Sequence, residues 1–381
     1  MTLFDVYALF DIEPVKARGS YIWDRKGNQY LDLYGGHAVI SIGHSHPHYV
    51  HALKQQLDQI AYYSNSVKNP LQVRLAEKLG QMSGYPDYQL FLCNSGAEAN
   101  ENALKLASLV TGRKMVIAFS RAFHGRTSGA VAVTDNPKIQ APFNTGHAIS
   151  FVPLNDAGAF NEALSDQVAA VIIEGIQGVG GIHLPEDSFL QLVAAQCAKN
   201  GTLLILDEVQ SGYGRTGKFF AHQYAGIRPD LITTAKGMGN GFPIGGVLIA
   251  PGIKAWQGML GTTFGGSYLA ATAGLSVLEV LEQEDLLENA TRVGSFLMKE
   301  LSALPLIGEV RGKGLMIGFD LPEALSGLRM DLLTKHNIFT GDAKPRTIRL
   351  LPSLTLTMDQ ASYFLEELEE ELKLVTEAQQ D

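Results

Sequence analysis

Five short apolar runs punctuate the middle of the chain: KMVIAF at 114–119, AAVIIEG at 169–175, TLLILDEV at 202–209, LITTA at 231–235 and GGVLIA at 245–250. They read as buried strands. Between them lie GAEANENALKLASLV at 96–110 and EDSFLQLVAAQCAKNG at 186–201, both with a helical pattern. Strand and helix in alternation, with strands apolar throughout, predict an α/β domain around a mostly parallel sheet. GGVLIA is the one run that also suits an antiparallel position.

From about Ala271 the pattern changes. AGLSVLEVLEQEDLLENATRVGSFLMKELSAL reads as one long helical stretch, followed by strand candidates GLMIGFDL and TIRLLPS. The C-terminal stretch places Ala361, Leu365, Leu368, Leu372 and Val375 on one helical stripe, its acidic residues forming a solvated face. The expected organisation is an N-terminal segment, 1–45, packed on the small domain, a large α/β domain, 46–270, and a smaller C-terminal α+β domain, 271–381.

Composition excludes several classes. A formal net charge of −9 over 381 residues repels phosphate backbones, so nucleic acid is not an expected partner. The two cysteines, Cys93 and Cys197, form no CxxC and no disulfide framework, which fits a reducing cytoplasm. The start, MTLFDVYALFDIEP, lacks a basic segment before its apolar residues and does not read as a targeting peptide. No apolar run is long enough to span a membrane.

Chemistry concentrates at strand ends. Lys236 ends LITTA and is followed by Gly237, Gly239 and Gly241, which leave room for a flat ligand. A desolvated lysine has a depressed pKa and can form a Schiff base with an aldehyde. A pyridoxal 5'-phosphate cofactor also needs an acid at its ring nitrogen, an anion cradle and a face to stack on. Asp207, after four apolar residues, supplies an acid at another strand end; Gln210 can reach a phenolic oxygen, and Glu208 has no evident role. Ser95 and Glu98 form a capping box, so the helix starting near Gly96 offers free N–H groups to a phosphate. Glu98 and Glu101 must then face away. Phe123 is a candidate for stacking and Arg126 for a substrate carboxylate. Each feature alone has an ordinary explanation as a cap, a core ring or a surface charge. Together they converge, because Asp207 and Lys236 lie 29 residues apart on successive strand ends.

LILDEVQSGYGRTGKFFAHQ followed by PDLITTAKGMGNGFPIGG closely resembles the class III, fold-type I pyridoxal-phosphate aminotransferases, and among these the acetylornithine aminotransferases. The resemblance extends to YLDLYGGHAVISIGHSHP, FLCNSGAEANENALKLA, AFHGRT, GTTFGG, VRGKGLMIGFDL and IRLLPSLTLT. It implies that Lys236 is the Schiff-base lysine and the proton-moving base, with Asp207 at the ring nitrogen and Gln210 at the phenolic oxygen. Gly96 and Ala97 would hold the phosphate, Phe123 stack on the ring, and Arg126 grip the substrate carboxylate. Thr263 would reach the phosphate of a neighbouring subunit's cofactor, with Thr262 near that substrate, which implies a homodimer. The implied substrates are a small amine donor, N-acylated ornithine, and a 2-oxo acid, 2-oxoglutarate.

Departures from the family pattern bear on specificity. Val179 stands where ornithine-type relatives carry a glutamate that partners an arginine, here Arg349. The expectation is an Arg349 open to a second carboxylate, such as that of 2-oxoglutarate or a succinyl arm. Leu260, His37 and Ser267-Tyr268 also depart from the family's usual residues, near the expected substrate mouth. 4-Aminobutyrate, free ornithine and glutamate-semialdehyde aminomutase chemistry would use the same cofactor set. A dinucleotide fold fails because GMGNGF has Phe242 at the third glycine position, and no complete G-x-S-x-G marks a hydrolase. His44, His46, His48 and His51 carry no metal-site spacing and read as loop structure, with no metal implied.

Overall fold

A computed structural model describes residues 1–378, with side chains described through residue 374. Its centre is a seven-stranded sheet. Across the sheet the strands run Gln89–Cys93, Gly245–Ile249, Leu231–Thr234, Leu203–Asp207, Val168–Glu174, Met115–Phe119 and Ile149–Val152. Gly245–Ile249 is antiparallel to both its neighbours, and the other neighbouring pairs are parallel.

Successive side chains of each strand point to opposite faces, and both faces are covered. Val116, Ala118, Ala170 and Ile172 pack with Ala99, Ala103 and Leu106 of the helix Gly96–Thr111. Ile117, Phe119, Val171 and Ile173 pack on the other side with Phe189, Leu190 and Val193 of the helix Asp187–Asn200. A strand with two dry faces has no polar position to spare, which is why these runs are apolar without alternation.

The stretch expected as one helix from Ala271 is two, Tyr268–Gln283 and Leu286–Ala303. The break is Asp285, at φ +48°; an aspartate tolerates this left-handed geometry better than most residues. Tyr268–Gln283 is buried nearly all round and packs on the helices Pro47–Gln59 and Pro70–Ser83. GHSHPHYVH is only partly loop: Pro47 opens the helix Pro47–Gln59, at a position where its missing N–H costs nothing. His44, His46 and His48 each meet a different carboxylate, of Asp32, Glu284 and Glu279.

A second, antiparallel sheet is ordered Val310–Lys313, Met316–Asp320, Thr347–Leu350, Gly341–Ala343. A third joins Pro14–Arg18, Tyr21–Asp24 and Gln29–Asp32 to Ile338–Phe339, so the N-terminal segment shares a sheet with the C-terminal part of the chain. In the last helix, Met358–Ala378, Ala361, Leu365, Leu368 and Leu372 are buried as expected; the side chain of Val375 lies outside the described residues. Among the described residues no helix is long and apolar enough to cross a membrane.

Candidate active site

Parallel register sets the site. Glu174 pairs with Asp207, and Asp207 with Thr233, so three strands end side by side. The chain after Thr234 turns sharply, with Lys236 at φ +44°. Strain of this kind survives only where surrounding contacts impose it. Here Ser41 Oγ donates to Gly237 O at 2.7 Å, and Asn240 Oδ1 accepts from Ser41 N and Ile42 N. Tyr49 OH donates to Gly239 O at 2.7 Å. Ser41, Ile42 and Tyr49 therefore hold the glycine-rich turn that presents the lysine.

A cavity of about 390 Å³ opens over these strand ends. Lys236, Asp207, Gln210, Phe123 and Arg126 line it, together with Gly96 and Ala97. Burial pushes the Lys236 amine down to about 8; the Asp207 and Glu174 charges oppose that shift, and Arg349 and Arg215 add to it. The direction has a testable consequence. Attack on an aldehyde needs the neutral amine, so loading of the apo-protein with pyridoxal phosphate should accelerate as pH rises and level off above about 8. Growth of cofactor absorbance in a stopped-flow series would show it. A rate still climbing at pH values near an ordinary lysine pKa, about 10.4, would mean the amine is not desolvated.

Asp207 is clamped. Its Oδ2 accepts from Asn100 Nδ2 and His124 Nδ1, both at 2.7 Å, and among the described residues Oδ1 accepts from Val209 N alone, at 3.0 Å. Asn100 is fixed in turn by Thr233 Oγ1 and the His124 carbonyl. Saturating one oxygen with two donors leaves the other for a further partner. Glu174 accepts from Phe123 N and Gly178 N, and burial pushes its carboxyl up to about 7. Asn100, His124 and Glu174 are site residues that motif reasoning did not assign. Glu208 has its back to the cavity: it accepts from His222 N and Nδ1, Ala221 N and Ser211 Oγ, and so anchors the loop beyond Asp207.

The cradle forms because Ser95 Oγ accepts from Glu98 N, leaving the N–H groups of Gly96 and Ala97 without helical partners. The Glu98 carboxylate reaches back to Asn94 N at 2.8 Å rather than to Ser95 N. Glu101 accepts from Gly129 N, Ala130 N and Thr127 Oγ1, so it is committed to a neighbouring helix start. A Cβ on Gly96 would stand 2.6 Å from Val209 Cγ1, so only glycine lets the backbone come this close.

Three expected site residues are not in the cavity lining. Thr262 Oγ1 bonds Glu98 and Asn94 of its own chain. Thr263 is exposed, its carbonyl accepting from Tyr62 OH at 3.2 Å. Arg349 is 4% exposed; it donates to the carbonyls of Asp342 and Gly178 and lies over the Tyr34 ring at 5.9 Å. The expectation of an open Arg349 is not met in this conformation, because Tyr34 and backbone carbonyls already surround the guanidinium. With Val179 in place of a carboxylate, the acidic charges acting on Arg349 are those of Asp342 and Glu174.

The family model for class-III aminotransferases matches residues 6–372. The chain belongs to the class-III aminotransferases. Curated relatives include the acetylornithine aminotransferase of Bacillus subtilis, 41% identical over 377 residues, covering 97% of each chain. That of Archaeoglobus fulgidus is 41% identical over 90% of each. Among solved structures, the ornithine aminotransferase of Toxoplasma gondii, described with partial occupancy of pyridoxal phosphate at its active site, matches with a TM-score of 0.92. It is 28% identical and covers 100% of this chain and 94% of its own. An (S)-enantioselective omega-transaminase of Thermomicrobium roseum matches at 0.86 and 29% identity, covering 98% and 96%. The chain is thus a pyridoxal-phosphate-dependent aminotransferase with the fold of that class.

The aminotransferase's residues fit the cofactor on their own terms. Gln210 lines the cavity just after the Asp207 strand, and its Nε2–H, which donates to His37 O at 3.3 Å, is the kind of group a phenolic oxygen takes as a donor. The amine, the ionisable acid and the bare N–H groups match an aldehyde, a ring nitrogen and a phosphate.

Proposed function

We propose that this enzyme transfers the terminal amine of an N-acylated ornithine to 2-oxoglutarate, giving an N-acylglutamate semialdehyde and glutamate, as a cytoplasmic step of arginine biosynthesis. The observation that carries the reading is the Lys236 amine, desolvated beside the clamped Asp207 at the mouth of a helix-start cradle. The acyl donor rests on the names of the relatives. Acetyl is taken ahead of succinyl because it is the acyl group those names carry.

Bound pyridoxal phosphate supplies the aldehyde and a ring that accepts negative charge. The chain does the rest. Gly96 and Ala97 N–H groups would hold the phosphate, Phe123 would stack on the ring, and Gln210 would donate to the phenolic oxygen. Asp207 Oδ1 would hold a proton on the ring nitrogen, so that charge developing at the donor carbon would be stabilised. Lys236 Nζ would take up and give back the proton at the donor carbon. Arg126, exposed at the mouth, takes the donor's α-carboxylate. Arg349 belongs to the carboxylate of the 2-oxo acid, once Tyr34 gives way. Two copies assemble so that Thr263 reaches the other copy's phosphate and Thr262 braces Glu98 beside its own cradle.

A donor panel tests the reading, with glutamate formation from 2-oxoglutarate followed for each amine. N-acetylornithine should exceed free ornithine and 4-aminobutyrate by at least about tenfold in kcat/KM, the worth of one or two good contacts. A panel led by 4-aminobutyrate or free ornithine would remove the acylated donor and leave only the class of reaction.

A further inference from the structure

Glu174 lines the cavity, buried at the end of its strand and directly beside Asp207 in the parallel register. Its Oε1 accepts from Phe123 N and its Oε2 from Gly178 N, both at 3.0 Å. Gly178 is where Arg349 rests: its carbonyl accepts from Arg349 Nη1 at 3.0 Å and from Gly181 N at 3.2 Å. The segment that carries Gly178 is pinned on both sides. Gln177 and His183 exchange backbone hydrogen bonds, and Gln177 Nε2 donates to Ser120 O at 2.9 Å. A Cβ on Gly178 would collide with Gln210 Oε1, so it is backbone that meets the guanidinium here. Val179 brings no acid, and the acids whose charge bears on Arg349 are Asp342 and Glu174.

We propose that Glu174 is a positioning residue for the 2-oxo acid step: through Gly178 it keeps Arg349 parked on a backbone carbonyl, and so sets how readily a second carboxylate claims that arginine. This rests on the assignment of Arg349 to the 2-oxo acid and deepens it. Two acceptors compete for the guanidinium, since one N–H cannot serve both Gly178 O and a substrate carboxylate. While an amine donor with no second carboxylate fills the site, the parked arrangement keeps the buried cation hydrogen-bonded. When a dicarboxylate enters, the charge-assisted pair is the stronger contact. An anionic Glu174 opposes that exchange twice, by fixing Gly178 N–H and by attracting the guanidinium toward its resting place. Neutralising Glu174 therefore releases Arg349.

The test uses the cofactor-loaded enzyme as wild type, Glu174→Gln and Arg349→Gln, with glutarate as an unreactive dicarboxylate whose binding is followed by calorimetry. Glu174→Gln should tighten glutarate about fivefold, the scale of one hydrogen bond, and lower the 2-oxoglutarate KM in step. The affinity for N-acetylornithine in the single-turnover half-reaction should change by less than about twofold, because that donor makes no claim on Arg349. General loosening of the site would weaken both ligands, and simple relief of repulsion would tighten both equally; either result, or unchanged glutarate binding, overturns the proposal. pH gives a second readout. Burial pushes the Glu174 carboxyl up to about 7, with His124, Asp207, Lys236 and Arg349 the titratable and charged groups facing it. Protonation mimics glutamine, so the wild-type and Glu174→Gln glutarate constants should converge as pH falls from about 8 to about 6. If Glu174→Gln does not fold, the wild type alone decides: its glutarate affinity must rise over that fall in pH, and a flat or falling affinity overturns the proposal. Arg349→Gln should weaken glutarate at least about tenfold, as for one partner removed from a buried charge pair. Glutarate binding as in wild type there would overturn the assignment of Arg349 itself, whatever Glu174→Gln shows.

Discussion

Lys236→Ala is expected to lower transamination by at least about 10³-fold, within the range that general acid–base catalysis contributes, and to leave the fold intact. The size of the loss follows from two roles in one atom. Nζ is the amine able to capture the aldehyde covalently, and the base beside the donor carbon. Among the described residues the site holds no substitute amine: the other cations near it are the guanidiniums of Arg126, Arg349 and Arg215. Folding should be spared because burial works against the charged amine, as its lowered pKa shows. Alanine at φ +44° meets the same backbone strain as lysine. The thermal midpoint should therefore hold or rise slightly. The cradle and Asp207 remain, so pyridoxal phosphate still binds, but borohydride reduction followed by mass spectrometry should place no label at position 236. A label on this variant elsewhere, with activity retained, would move the catalytic amine to another residue and dissolve the reading built on it.

How much of this site could be read from sequence depends on whether a residue announces itself locally. The paired strand ends did, because runs buried on both faces are apolar and stop at Asp207 and Lys236. The cradle did, through the spacing of Ser95 and Glu98. Asn100, His124 and Thr233 did not. Each is an unremarked polar residue in its own segment, and they meet only in space, across sequence separations of 107, 83 and 133 residues. Glu208 was visible but could not be given a role, since its partner His222 appears only once the loop folds back. A left-handed turn at 35–38 was half legible: Gly35-Gly36 permits it, but nothing local says that His37 and Ala38 must follow. Arg349 shows the opposite failure. A missing carboxylate suggested an open cation, whereas the chain satisfies it with carbonyls and the Tyr34 ring.

Asp207→Asn, although nearly isosteric, should cost about 10²–10³-fold in kcat, the range for losing one preorganised electrostatic partner of developing charge, and should also destabilise the protein. The destabilisation comes from donor geometry. Asn100 Nδ2 and His124 Nδ1 both point at Oδ2, and Val209 N points at Oδ1. An aspartate accepts all three. An asparagine has one oxygen and one NH2 group, so either orientation sets its donor against at least one of those N–H groups. A buried donor left unsatisfied costs about 1–3 kcal/mol. Turning Nδ2 toward Val209 harms one bond; turning it toward Asn100 and His124 harms two. The first orientation therefore wins, and it places an N–H where Oδ1 should accept from the ring nitrogen. That nitrogen can then no longer keep its proton, and the ring loses its power to take up charge. The fall should appear in kcat more than in donor KM, because the partnership strengthens as charge develops. Measuring 15N chemical shifts of the bound, isotopically labelled ring separates the two effects. If the ring nitrogen stays protonated and kcat is unchanged in Asp207→Asn, the clamp is a structural device and the cofactor's electron demand is met elsewhere.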